Sequence, residues 1–505
     1  MHEFWEVAEL TRLVFEEIKA LDPPRTPTRT LCRLARTCRK FSDPALDVLW
    51  AEQSGYIPLL NSLPATTWRI RNGEFEIVTD LRQEDWERTL SYSRRIKHFR
   101  DVNSYPGLHI SAVEAVILSL PPASLLPNVR YLLCESRSPF FPHLSTLLGT
   151  HLSKIHIELA SCEWRFPAVQ HIASRSPLVE DLRLEGPSGT EHKILEWSSR
   201  FVLQMIRLRS VDVAGLNSVA WDHISRLEGL ETVSSHSLMA NLFTPSDASF
   251  LHPGPRFPVL RTLALYRIDL DLVAPFLSAF HSAPLQNLKL LGTNIGNVWT
   301  LNASIATHCS PLHLTSLVIE ICETVDDPPL LSFEDIRPLL LVSNLQNVRL
   351  LYPGYSLLND YSVEEIANAW PALRELSVPC TSSSVFRDPP TLKSLLSFAR
   401  HCPHLRSLEL DVDAKTVPLD AVKSSRVIQN SLVEWSVYAS PIGNPDRVAK
   451  FLSAVYPLLE IKCRNPSSST REKWENVSSL IEDYADIRAH EREILAVGAS
   501  VEGVS

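Results

Sequence analysis

The stretch Cys402-Pro403-His404-Leu405-Arg406-Ser407-Leu408-Glu409-Leu410 decides the reading of this chain. A leucine is followed three residues later by another and two residues after that by a third, just after a proline. The same phrase stands at Leu152/Ile155/Ile157, Val179/Leu182/Leu184, Leu208/Val211/Val213, Leu260/Leu263/Leu265 and Leu285/Leu288/Leu290. It continues at Leu314/Leu317/Ile319, Leu345/Val348/Leu350, Leu373/Leu376/Val378 and Leu432/Trp435/Val437, with weaker copies from Val129, Leu230 and Leu458. Successive copies begin 22 to 32 residues apart. Within a phrase the last two apolar residues alternate with polar ones, which is the period of a half-buried strand. Proline at Pro177, Pro258, Pro371 and Pro403 ends the preceding helix before each strand begins.

A repeat of this length is the mark of a leucine-rich repeat solenoid. One unit cannot bury its own apolar face, so units stack and share a continuous core. The fold expected is α/β, with parallel strands on a concave side and helices on the convex side. The copies around Cys402-Pro403 and Cys309 to Cys322 resemble the cysteine-containing variety of the repeat. The array departs from that family by lacking a regular Asn or Cys after the last apolar position, where Pro187, Ile268 and Asp413 stand.

Upstream, Glu6 to Trp50 reads as three short helices. Val7, Leu10, Val14 and Ile18 fall at helical spacing in the first, and Leu31, Leu34, Ala35, Cys38 and Phe41 in the second. Asp22-Pro23-Pro24 separates them, Thr26-Pro27 suits the start of the second, and Ser42-Asp43-Pro44 is expected to open a third ending at Leu49-Trp50. So short a segment has too little apolar surface to close a core alone.

The run Leu34-Ala35-Arg36-Thr37-Cys38-Arg39-Lys40-Phe41, with Val7-Ala8-Glu9-Leu10 before it and Asp43-Pro44-Ala45-Leu46-Asp47-Val48-Leu49-Trp50 after it, resembles an F-box of the fungal kind. Ala8 stands where that family usually has proline. The resemblance implies a substrate receptor of an SCF-type ubiquitin ligase, in which the box binds a Skp-type adaptor and through it a cullin. It makes Val7, Leu10, Val14, Ile18, Leu31, Leu34, Ala35, Cys38, Phe41, Leu49 and Trp50 the adaptor-binding candidates. The domain reading is therefore a box over 1–50, a helical connector over 51–126, the solenoid over 127–464, and a C-terminal cap helix and tail over 465–505. In the connector, Trp86, Leu90 and Ile96 mark the inner side of a helix over 85–97; in the tail, Trp474, Val477, Ile481, Tyr484 and Ile487 do the same.

Composition fits a folded protein of 505 residues, 45% hydrophobic and 21% charged. Net charge is −9 and no long basic run occurs, so nucleic acid is not an expected partner. Glu3, Glu6, Glu9, Glu16 and Glu17 rule out a secretory leader in the first twenty residues, and no apolar run is long enough for a membrane span. Nine scattered cysteines suit thiols packed as small core residues in a reducing compartment, cytoplasmic or nuclear. No glycine-rich phosphate loop, zinc-protease motif or nucleophile elbow appears, so neither a catalytic residue nor a cofactor is expected. His151 with His156, and His401 with His404, lack further ligands in sequence, and no metal is expected at them. Recognition of a target protein is the better expectation. Residues beside the inward leucines face the concave side: Asp181, Arg183, Glu185, Asp212, Tyr266, Lys289, Glu320, Asn347, Arg349, Glu409, Asp411 and Tyr438. Of these, Arg183, Asp212, Tyr266, Lys289, Glu320, Arg349, Glu409 and Asp411 are the target-binding candidates. Acid gathers on the later strands, which favours a basic patch on the target. The alternative is a leucine-rich binding scaffold or inhibitor with no ubiquitin role.

Overall fold

A computed structural model describes residues 7–21, 26–101, 107–122, 124–159, 166–186, 191–236, 256–280, 283–294, 296–321, 331–352, 356–379, 389–418, 427–438, 440–464, 470–484 and 486–487. The chain divides into two compact units, Met1–Leu230 and Glu231–Ser505.

In the first unit, three helices open the chain: α1 (Ala8–Leu21), α2 (Thr26–Ala35) and α3 (Arg39–Trp50). The third begins earlier than Ser42-Asp43-Pro44 suggests, because Phe41 and Ser42 already donate backbone hydrogen bonds to the Cys38 carbonyl at 3.2 and 3.1 Å. Pro44 consequently lies inside the helix.

Strands Glu52–Ser54, His98–Asp101, Tyr131–Glu135, Lys154–Glu158, Asp181–Glu185 and Ser210–Val213 then pair in parallel, each with the next. Register stacks Phe99, Leu132, Ile155, Leu182 and Val211 into one buried column. The column beside it runs Asp101, Cys134, Ile157, Leu184 and Val213. Helices such as Ile110–Ser119, Phe166–Arg175 and Glu191–Val202 lie in the crossovers, as parallel pairing requires.

One backbone device recurs at the start of most strands: a single carbonyl accepts two successive N–H groups from the next repeat. The Ala51 carbonyl takes Lys97 and His98, that of Lys97 takes Arg130 and Tyr131, and that of Arg130 takes Ser153 and Lys154. The ladder therefore starts at Ala51, directly after α3, inside the stretch read from sequence as a helical connector. That stretch does hold the expected helical segment, as a 3₁₀ turn Gln83–Trp86 followed by Glu87–Ser93 with Trp86 and Ile96 buried. It also carries a small sheet, in which Trp68–Arg71 and Glu74–Ile77 form a hairpin through Asn72-Gly73, at φ 53° and 81°. Two positive φ values in a two-residue turn are what Asn-Gly supplies.

The second unit repeats the pattern with nine parallel strands: Thr232–Ser235, Thr262–Ile268, Asn287–Gly292, Ser316–Ile321, Asn347–Leu351, Glu375–Val378, Ser407–Leu410, Glu434–Val437 and Glu460–Cys463. Among the described residues the two units thus hold fifteen such strands, in an α/β leucine-rich repeat architecture. Leu263, Leu288, Leu317, Val348, Leu376, Leu408, Trp435 and Ile461 form the buried column. Each such side chain taken from water contributes about 1.5–3 kcal/mol.

The helix ends explain the prolines. Trp370, Cys402 and Tyr456 each precede proline, which excludes the helical region for them; they sit near φ −119°, −118° and −130° with ψ of 65°, 71° and 76°. Each still donates its N–H back into the helix while the chain turns toward the strand. The Cys402 thiol also reaches the Ala367 and Trp370 carbonyls of the preceding repeat at 3.5 Å, and Gln429 of the next repeat donates to the Cys402 carbonyl.

A helix over residues 470–484 closes the described part of this unit. Trp474, Val477 and Ile481 are buried along it. The Trp474 indole donates to the Ser440 carbonyl at 3.0 Å and meets Trp435 edge-on at 5.2 Å. Ile487 lies exposed, and the linker over 465–469 and the tail beyond 487 fall outside the described residues, as do Asp22-Pro23-Pro24 and Pro187.

Candidate functional site: the N-terminal helices and the open sheet face

The three N-terminal helices close a small core of Phe15, Leu31, Ala45 and Val48. Val14, Ile18, Leu34, Ala35, Phe41 and Leu49 pack against it, with Phe41 edge-on to Phe15 at 5.7 Å. Seven of the eleven adaptor-binding candidates, Leu31 among them, thus belong to the segment's own interior. Cys38 is half-buried at the N-cap of α3, and Trp50 stacks on Tyr92. Val7 and Leu10 point outward, 43% and 37% exposed, and Leu13 joins them at 56%. The stripe on α1 that turns inward is Thr11, Phe15 and their neighbours Val14 and Ile18. Sequence reading left Leu13 out, although its spacing from Leu10 is helical.

The segment is tied to the first repeat. Arg95 pairs with Asp43 at 2.7 Å and with Asp47, and also donates to the Asp43 carbonyl at 3.2 Å. Its guanidinium spans one turn of α3, a bidentate use of the Arg fork.

On the open sheet face of the first unit, the Arg183 Nε lies 2.6 Å from Glu185 and 3.4 Å from Asp212. Beside them stand His156, Glu158 and Glu185, whose ligand-capable atoms all lie within 4.8 Å of one another. His156 Nε2 is 3.2 Å from Glu185 Oε1 and 3.9 Å from Glu158 Oε1. Sequence reading paired His156 with His151; register instead sets it beside two carboxylates, and only 14% of its side chain is exposed. The signal was available: His156 and Glu158 alternate on one strand, and Glu185 occupies the matching place one phrase later.

In the second unit, Tyr266 stacks on His236 at 4.7 Å and carries the Lys289 ammonium 5.3 Å from its ring centre. Glu320 pairs with Arg349 at 2.9 Å. The two later acids differ. Glu409 is buried, accepts from the Ser377 hydroxyl and lies 3.6 Å from Arg464. Asp411 is 3% exposed and accepts from the Tyr438 N–H and the Ser440 hydroxyl, both at 2.8 Å. Asp411 therefore braces the turn after its strand.

Burial pushes the thiols of Cys309 and Cys402 up to about 12 and that of Cys134 well above its ordinary value, with the charge of Asp101 adding to the last. These are packing thiols held protonated, poor nucleophiles. The architecture is that of a repeat scaffold presenting an open face. Among the described residues no helix is long and apolar enough to cross a membrane.

No family model and no curated protein matches the chain. Among solved structures it is similar to the crystal structure of the Rad7 and Elc1 complex in yeast, at 13% identity, 86% of this chain, 88% of that chain and a TM-score of 0.36, a level of likeness that carries no argument about function.

Proposed function

We propose that this chain is the substrate-recognition subunit of an SCF-type ubiquitin ligase. In this reading the N-terminal helices dock on a Skp-type adaptor, which brings a cullin, and the open sheet face holds a target protein. The chain supplies no reacting group; ubiquitin transfer follows from proximity created by its partners. The work takes place in the cytoplasm or nucleus.

The observation that carries the reading is the outward row Val7, Leu10 and Leu13 on a helix whose other face already closes the core. An apolar row left exposed among the described residues fits a helix-in-groove contact with a partner. On the target side, Arg183, Tyr266, Lys289, Glu320 and Arg349 offer mixed charge and an aromatic ring on the open face, as partner-binding arrays do. Glu409 and Asp411 serve that face from beneath.

The test is co-purification of the full chain with a Skp-type adaptor, beside Leu10→Asp and a version lacking residues 1–50. A stoichiometric complex lost in both altered chains supports the reading; no complex with the full chain sinks it. The second reading, a leucine-rich scaffold without a ubiquitin role, draws on the Arg95 bonds to Asp43 and Asp47, which tie α3 to the first repeat as a cap is tied.

A further inference from the structure

We propose that His156, Glu158 and Glu185 form a site for one divalent transition-metal ion of the zinc class on the open face of the first unit. The inference does not rest on the ligase reading.

Strand register builds the site. Glu158 stands directly opposite Glu185, and Glu135 directly opposite Glu158, so three glutamates sit side by side at one level of the sheet. Like charges in directly opposed positions repel. Arg183 reaches Glu185 but is shared with Asp212. One level along, His156 turns its Nε2 toward both glutamates, and that atom is buried with no hydrogen-bond partner among the described residues. It lies 3.2 Å from Glu185 Oε1 without hydrogen-bond alignment.

An imidazole nitrogen and two carboxylates suit a borderline-soft divalent ion. Zinc bonds of about 2.1 Å place tetrahedral ligands about 3.4 Å apart. The His156 separations of 3.2 and 3.9 Å bracket that spacing. The ion would satisfy the imidazole and neutralise both glutamates, leaving its fourth position to water. Arg183 would keep Asp212 as its counter-charge when Glu185 turns to the metal.

The test titrates the full-length chain with Co²⁺ as a spectroscopic stand-in for zinc, which separates this site from the thiols. Expected is one equivalent bound with visible d–d absorption and no thiolate charge-transfer band. His156→Ala and Glu158→Gln should each weaken binding by at least about tenfold, the scale that even outer-shell changes reach. Arg183→Ala should tighten it by releasing Glu185. Far-UV circular dichroism checks folding; if His156→Ala does not fold, Glu158→Gln decides. No binding, a thiolate band, or an affinity unchanged by Glu158→Gln overturns the proposal.

Discussion

Trp50 stacks face to face on Tyr92, ring centroids 4.6 Å apart and planes 5° from parallel. Trp50 ends α3 and Tyr92 belongs to the helical segment of the first repeat, so the N-terminal helices and the ladder meet through a stacked aromatic pair. Such pairs add about 0.5–1.5 kcal/mol beyond area burial. Tyr92→Ala should therefore loosen α3 locally. Amide hydrogen exchange over residues 39–50 should quicken, while the strands from Lys154 onward keep their protection; unchanged exchange in α3 would show that Arg95 alone secures it.

Inward and outward positions on the N-terminal helices should separate cleanly. Leu31→Ala removes a core side chain and should cost about 2–5 kcal/mol of the stability of the N-terminal helices. Leu10→Asp and Leu13→Asp alter exposed positions and should stay within about 0.5 kcal/mol. Adaptor binding measured by calorimetry should nevertheless be lost in Leu10→Asp and Leu13→Asp. Leu34→Asp cannot make this distinction, since Leu34 packs against the core of the N-terminal helices.

Asp411 and Glu320 are both acidic and should behave oppositely. Asp411→Ala leaves the Tyr438 N–H and the Ser440 hydroxyl without their acceptor and should cost about 1–3 kcal/mol in urea unfolding. Glu320→Gln breaks a half-exposed pair with Arg349 and should change stability by less than about 1 kcal/mol. A basic target should bind Glu320→Gln more weakly, read by titration of the full chain.

Asp101 should make stability depend on pH. It occupies an inward column position, and burial raises its carboxyl from 3.8 to about 7, with the charge of Glu135 adding and the Ser138 hydrogen bond opposing. Tyr56 and Cys134 are the other titratable groups coupled to it. Between these two values the native state keeps a proton that the unfolded chain releases, so stability falls as pH rises through that window. At about 1.36 kcal/mol per unit the loss is at most about 4 kcal/mol. Asp101→Asn should be the more stable protein at pH 8, with the gap closing toward pH 4; equal urea midpoints at both ends would refute the assignment.

The spacing Leu405/Leu408/Leu410 and its copies determined, by themselves, that parallel strands recur and which side chains enter the core, because a strand alternates its faces and each phrase carries its own period. The prolines after Trp370 and Cys402 likewise marked the helix ends, since a residue before proline leaves the helical region. Tertiary structure decided the rest. Helical spacing on α1 offered apolar residues on two sides, and only packing against Leu31, Ala45 and Val48 set Phe15 inward and Leu10 outward. The ladder begins at Ala51 because a backbone carbonyl, which no side-chain pattern reveals, accepts the N–H groups of Lys97 and His98. His156, Glu158 and Glu185 meet because register aligns two phrases 27 residues apart to the single residue, and a slip of one would turn Glu185 to the face opposite His156 and Glu158.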